Sequence, residues 1–154
     1  MFLEQRIFSS IIEHTPLISI DLIVENEEGS FLLGQRLNKP AQNSWFVPGG
    51  RVQKNETLAD AFMRLTNNEL GQAYNIDDAV LIGPFTHIYD DNVFGDDFGT
   101  HYVVLAYRLK IQSQLLQLPL YEQHSKYQWF TEEALVNSEC VHLHTKWYFQ
   151  SMQE

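Results

Sequence analysis

Residues 48–71 read PGGRVQKNETLADAFMRLTNNELG. Pro48, Gly49 and Gly50 interrupt the short extended segment SWFVPGGRV. A helix is expected from about Leu58 to Leu70: Thr57 followed three residues later by Asp60 is a capping signature, and Gly71 is a natural terminator. Within it Leu58, Phe62, Leu65 and Glu69 recur at i, i+4, i+7 and i+11, which places them on one stripe. Three of the four are apolar, so the stripe should face a sheet and carry Glu69 with it. An ionised carboxylate there is costly unless something cationic compensates it. Alternatively, fraying at Gly71 lets Glu69 reach water. Arg64 could pair with Asp60, four residues before it, and Glu56 could simply be a favourable charge near the helix start.

Outward from this helix, LISIDLIVEN (17–26) alternates, with Ile18, Ile20, Leu22 and Val24 on one face. NEEGS turns it into a second strand, FLLGQR. Leu3, Ile7, Phe8 and Ile11 predict a short helix over 3–13, ended by His14-Thr15-Pro16. Long β segments follow at 79–89 and 101–112, and KYQWF (126–130) supplies another strand. Residues 132–136 and 142–152 read as helices. Strands with helices inserted among them predict an α/β fold, a mixed sheet covered by helices on both faces. No repeat, low-complexity tract or linker divides residues 1–154, so one domain is expected.

The chain has 154 residues, with 44% hydrophobic and 13% aromatic residues and a formal net charge of −10. That composition is globular and able to bury a sizeable core. Without clustered Lys and Arg it does not suit a nucleic-acid backbone. A small anionic ligand needs only a few arginines or a cation gathered locally. The lone cysteine, Cys140, excludes an internal disulfide and fits a reducing compartment; such a thiol more often packs as a small hydrophobe than acts as a nucleophile. Glu4, Gln5 and Arg6 stand where a signal peptide needs an apolar core, and no stretch is long enough to span a bilayer. A soluble, cytoplasmic protein is expected.

The arrangement of Gly50, Glu56, Arg64, Glu69 and Gly71 resembles the Nudix box, a loop–helix–loop that binds magnesium in hydrolases of nucleoside diphosphates linked to another group. The family pattern puts Glu directly after the Arg and a second Glu directly before the last one. Leu65 and Asn68 occupy those places here. The GDP-mannose mannosyl hydrolases, a divergent branch of the family, share that departure. The chain resembles them over almost its whole length, in TPLISIDLIVEN, FLLGQR, KPAQNSWFVPGGRVQKNETL, RLTNNELG, YDDN, THYVVLAYR and YEQHSKYQWF. The resemblance implies a Nudix-type α/β/α sandwich, a homodimer, and hydrolysis of GDP-mannose to GDP and mannose with inversion at the anomeric carbon. GDP-glucose is a second possible substrate. It further implies one Mg²⁺ per site, replaceable by Mn²⁺, held by the Gly49 carbonyl, the Glu69 carboxylate and the Gln123 side chain.

The departure has a chemical rationale. Attack at phosphorus must overcome charge on the phosphoryl oxygens, which makes several metals valuable. Attack at an anomeric carbon builds positive charge on the sugar instead, and the nucleoside diphosphate leaves as a stabilised anion. A single under-neutralised cation and a few arginines then suffice. In YEQHSKY, His124 is the expected base, because an imidazole with its ordinary pKa of ~6.5 takes a proton near neutrality; Glu122 is the runner-up. A loop position just before the strand suits it. Inversion needs a base-activated water and no protein nucleophile.

By the same resemblance Arg36 and Arg51 contact the diphosphate, for which guanidinium forks are suited, and Tyr102 hydrogen-bonds it. Arg64 orients Glu56 or Glu69, or faces the leaving group. Asp21, an acid in mid-strand, belongs either to a solvated outer face or beside the sugar with His87 and Tyr89. Phe2, Leu3 and Phe8 line the guanine pocket, with Phe8 offering a ring to the base; spacing alone makes them core residues. YDDNVFGDDFG (89–99) is a lid over the site or a solvated hairpin tip. Two rivals stand beside this expectation. One is a Nudix pyrophosphohydrolase cutting between phosphates of another nucleotide, and the other is a catalytically inert nucleotide-sugar binder.

Overall fold

Ile20, Leu22 and Val24 are fully buried, and so is Ile23 between them. A strand covered on both faces sits at the middle of a sheet, and this one does. The computed structural model describes residues 2–119 and 124–153. Its elements run α1 (Gln5–His14), β1 (Leu17–Glu25), β2 (Phe31–Arg36), β3 (Trp45–Phe46), β4 (Gly49–Arg51), α2 (Leu58–Leu70), β5 (Val80–Tyr89), β6 (Thr100–Lys110), β7 (His124–Phe130), α3 (Glu132–Asn137) and α4 (Leu143–Met152). The strands form one seven-stranded sheet in the order β3-β2-β1-β6-β5, with β4 also on β1 and β7 also on β2. Strands β1 and β6 run parallel, Leu17 beside Tyr102 through Glu25 beside Lys110, and the other pairings are antiparallel. The expected mixed sheet is present.

Each face has its own apolar core. Ile20, Leu22, Val24 and Leu32 pack with Phe62, Leu65 and Leu70 of α2. On the other side Ile23, Leu33, Val104 and Ala106 pack with Leu135 of α3 and Tyr148 and Phe149 of α4. Helices therefore cover both faces, which is the α/β/α sandwich the strand and helix order implied.

Helix α2 occupies the span its local signals set. The Thr57 hydroxyl accepts the Asp60 amide at 3.1 Å, and Gly71 closes the helix at φ 74°, where its amide donates to the Asn67 carbonyl. The left-handed turn favours glycine, and here a Cβ would also run into the backbone of Gln117. Elsewhere the sequence expectations shift at their edges. Leu3 lies before α1, and Leu58 and Ile18 are exposed although both were placed on buried stripes. Cys140 is exposed in the turn between α3 and α4 rather than packed; the turn is tied to β3 by the Trp45 amide, which donates to the Cys140 carbonyl at 2.9 Å. No helix among the described residues is long and apolar enough to cross a membrane.

Candidate active site

A cavity of about 300 Å³ opens where β1, β2, β4, β5 and β6 meet the start of β7. Its lining gathers residues that lie far apart in sequence: Asp21, Arg36, Gly49 and Arg51, then His87 and Tyr89, then Tyr102 and His124, with Phe8 of α1 at its edge. Two arginines and one carboxylate thus share a space walled by imidazoles and phenols. Such a mixture suits a small ligand with an anionic part and a hydroxyl-bearing part.

Asp21 is 7% exposed, so the expectation of a solvated outer face fails. Strand β1 is central, and its second face lies under α4. Burial pushes the Asp21 carboxyl up to about 7, against the lowering effects of the Tyr148 hydroxyl and of Arg36. Tyr148 donates to Asp21 Oδ2, and the same hydroxyl lies 3.3 Å from His87 Nε2. The other carboxylate oxygen lies over Gly49, where a Cβ would collide with it. Glycine at position 49 is what lets β4 pair against β1 at Asp21.

His124 opens β7 rather than standing in a loop, since pairing with Arg36 carries the ladder two residues beyond the expected strand start at Lys126. Its ring is 1% exposed and sits against Gly34, at which a Cβ would come within 2.5 Å of the imidazole Cγ. Burial, helped by Arg36, lowers its pKa to about 4, below the ordinary value assumed for a base. The ring is therefore neutral across the physiological range. Nδ1 lies 3.4 Å from the Tyr127 hydroxyl, which donates to the Pro119 carbonyl. Nε2 has no hydrogen-bond partner among the described residues. Glu122 and Gln123 lie outside the described residues.

The arginines divide their work. Arg36 Nε donates to the Pro40 carbonyl at 2.9 Å, which leaves its terminal nitrogens for the cavity. The Arg51 guanidinium stacks over the Phe8 ring at 5.2 Å, so that ring meets a cation rather than standing clear. Arg64 is off the cavity: it holds Glu56 with two bonds of 2.6 and 2.9 Å and donates to the Arg51 carbonyl at 2.8 Å. Its partner is Glu56, not Asp60 or Glu69. Phe2 is fully exposed and, like Leu3, does not line the cavity. Burial raises the pKa of both Tyr89 and Tyr102, so each phenol stays protonated and able to donate.

Residues 90–99 connect β5 to β6 as a hairpin tip. Asn92 is buried, donates to the Phe98 carbonyl at 2.8 Å and accepts the Phe94 amide. The tip meets one lining residue, Phe94 lying edge-on to Phe8 at 6.0 Å, and pairs Asp96 with Lys39 at 2.7 Å, beside the lining residue Pro40.

Three residues of α4 and its cap escaped the sequence analysis. His142 caps the helix by accepting the His144 amide at 3.1 Å, His144 stacks on His87 at 4.2 Å, and Tyr148 reaches Asp21. A signal existed: a phenol on the stripe of Thr145, Tyr148 and Phe149 is buried, and a buried phenol needs a partner.

The helix that carries Glu69 shows which acids are available for a metal. Glu69 is 4% exposed on the buried face of α2, one turn after Leu65, whose Cδ2 would lie 2.5 Å from a Cβ at Gly50. Asn68 points to solvent. No group of three or more His, Cys, Asp or Glu side chains among the described residues is placed to hold a metal ion. The Glu69 carboxylate, buried but not on the cavity lining, and the carbonyl of Gly49, which is on it, are hard-oxygen donors of the kind that suits Mg²⁺, an ion that retains waters and ligand oxygens.

Residues 15–150 match the family model described as the NUDIX domain. The chain belongs to the Nudix family. Nudix enzymes are hydrolases of small nucleotide derivatives and generally use divalent metals such as Mg²⁺ or Mn²⁺. The chain is 41% identical over 120 residues to the low-salt glycan biosynthesis protein Agl8 of Haloferax volcanii, covering 77% of this chain and 73% of that one. Its fold is similar to the MutT NUDIX hydrolase of Burkholderia pseudomallei, with a TM-score of 0.74, 24% identity and coverage of 90% and 98% of the two chains. The MutT protein of Methanosarcina mazei gives 0.71 at 19% identity, covering 91% and 95%.

Proposed function

We propose that this Nudix chain hydrolyses a GDP-linked hexose, GDP-mannose or GDP-glucose, to GDP and the free sugar by inverting substitution at the anomeric carbon. The observation that carries this reading is the replacement of the box's second acid by Leu65, whose side chain is built into the core against Gly50. A helix that offers one buried carboxylate is poorly equipped for the multi-metal chemistry of attack at phosphorus. It is adequate where a diphosphate only has to leave.

Arg36 and Arg51 take the diphosphate, with Tyr102 donating to it. Asp21, His87 and Tyr89 receive the sugar, and the Asp21 charge favours the oxocarbenium-like transition state. His124 Nε2, neutral and carrying a lone pair, takes the proton of the attacking water; its buried setting keeps it unprotonated at the cost of basicity. The Gly49 carbonyl, Glu69 and Gln123 would hold Mg²⁺, which when bound supplies positive charge to the leaving diphosphate. Arg64 fixes Glu56 and the Arg51 backbone rather than touching the substrate. Phe8 and Arg51 together flank the nucleotide, with Phe2 and Leu3 joining only by rearrangement of the segment before α1. Homodimeric assembly belongs to the same reading and rests on the resemblance, while a single domain over 1–154 and a cytoplasmic location rest on the absence of repeats and linkers and on the lone cysteine.

Hydrolysis in ¹⁸O-water tests it. Label in the hexose is expected. Label in a phosphate, with none on the hexose carbon and with nucleoside monophosphate and sugar phosphate as products, supports a pyrophosphohydrolase instead, and absence of turnover over a panel of nucleotide sugars leaves a binder.

A further inference from the structure

Tyr148 has no solvent exposure, yet its hydroxyl lies between two polar side chains of the cavity, Asp21 and His87. Its ring is wedged edge-on against Phe85 at 4.8 Å, which fixes where the hydroxyl can be. We propose that Tyr148 is a positioning residue that sets the hydrogen-bonding polarity of the cavity floor: through it Asp21 and His87 both meet the ligand as acceptors, so the floor takes a hydroxyl-bearing group and refuses a phosphate. This rests on the reading that a hexose occupies that part of the cavity.

A phenol has one proton and, when neutral, lone pairs to accept with. The Tyr148 proton goes to Asp21 Oδ2. Its oxygen can then meet His87 Nε2, 3.3 Å away, only if Nε2 brings its own hydrogen. The His87 ring is neutral, because burial together with His144 and His142 lowers its pKa to about 3. A neutral imidazole protonated at Nε2 has its lone pair at Nδ1. On the other side of the phenol, Asp21 Oδ2 is occupied and Oδ1 lies over Gly49 on the cavity lining. As a carboxylate, the form in which it takes the phenol proton at Oδ2, Asp21 only accepts. The floor thus offers two acceptors and no donor from this pair.

Sugar hydroxyls can donate to both atoms. A phosphate oxygen can donate to neither and is repelled by the carboxylate, so it is left to the arginines of the same cavity. Tyr148 in this way assigns the two halves of a nucleotide sugar to different walls without touching either.

The test is spectroscopic first. Long-range ¹H–¹⁵N correlation on the full chain is expected to show His87 protonated at Nε2. In Tyr148→Phe, which keeps the ring and its contact with Phe85, both tautomers are expected. A parent His87 protonated at Nδ1, or a spectrum unchanged in the variant, overturns the proposal. Calorimetry supplies the second readout: Tyr148→Phe should bind GDP as the parent does and GDP-mannose about tenfold more weakly, the scale of one charge-assisted hydrogen bond. Equal weakening of both ligands overturns it as well. If the parent itself binds GDP-mannose no better than GDP, the hexose reading falls, and the tautomer of His87 alone decides the role of Tyr148.

Discussion

Leu65 lies so close to Gly50 that a Cβ on the glycine would stand 2.5 Å from the leucine Cδ2. The side chain therefore does two things at once. It fills the core under β4 with Phe62 and Leu70, and it removes a carboxylate from the helix turn that precedes Glu69. Restoring acid at this place, Leu65→Glu, puts an unpaired charge into a site only 3% exposed. We expect a loss of about 3 kcal/mol of stability, the scale of a buried charge without a partner. Chemical denaturation in the absence of metal measures it, and an unchanged midpoint would show that Leu65 is not a core residue.

Gly34 makes room for the His124 ring in the same way that Gly50 makes room for Leu65. A Cβ at position 34 would come within 2.5 Å of Cγ and 2.7 Å of Cδ2, so Gly34→Ala must push the imidazole aside. His124→Gln should lower kcat by a factor on the order of 10²–10⁴, the range for losing general-base help. Gly34→Ala should reach toward that loss by displacement alone, on the order of 10²-fold for a shift of about 1 Å. In the double variant the two effects should not multiply, because there is no base left to displace. Full multiplication, or parent-like kcat in Gly34→Ala, would separate His124 from the chemistry.

What the sequence made legible here is local. Thr57, Asp60 and Gly71 specify α2 from within a few residues, and the helix occupies the span they set. Alternation identified β1 as a strand, but it could not say that both of its faces are covered, so Asp21 stayed between solvent and site. Arg64 was locally ambiguous: Asp60 lay at helical spacing, yet the backbone turn before α2 brings Glu56 and the Arg51 carbonyl to it instead. His124 is strand because Arg36 pairs with it, a fact belonging to β2. Tyr148 and Asp21 are 127 residues apart, and no pattern within α4 names that partner.

Acid should destabilise the fold through its histidines. His87, His124 and His144 have pKa values lowered to about 3, 4 and 4, and His142 is lowered too, all chiefly by burial. In the unfolded chain each titrates near ~6.5. Between that value and the folded ones the unfolded chain binds more protons, so stability is fully present above about pH 6.5 and is lost as pH falls. Asp21 acts in the opposite sense: its folded pKa of about 7 stands above the ordinary 3.8, and it favours the folded chain at low pH. Four imidazoles against one carboxyl should leave a net loss. Thermal midpoints should therefore fall from pH 7 towards pH 5, and His144→Phe should flatten that slope. A flat or rising parent profile would contradict the neutral cluster.

Glu69 and Glu56 separate metal binding from scaffold. Both are acids of the same loop–helix–loop, but Glu56 is engaged by Arg64 and by the Gln53 amide at 2.9 Å, while Glu69 is on the buried face of α2 beyond Leu65. Amide replacement preserves shape and removes charge. Glu69→Gln should weaken Mg²⁺ binding by at least about tenfold, more than the smallest effects seen when only an outer partner of a metal ligand is lost. Glu56→Gln should loosen the hold of Arg64 on the loop and leave the Mg²⁺ affinity within a few-fold of the parent, because its carboxylate serves a guanidinium. Calorimetric titration of the chain with Mg²⁺ alone reads both without requiring turnover. If the two variants weaken Mg²⁺ equally, or Glu69→Gln binds it as the parent does, the single-carboxylate site on α2 is wrong and the cation must be held elsewhere.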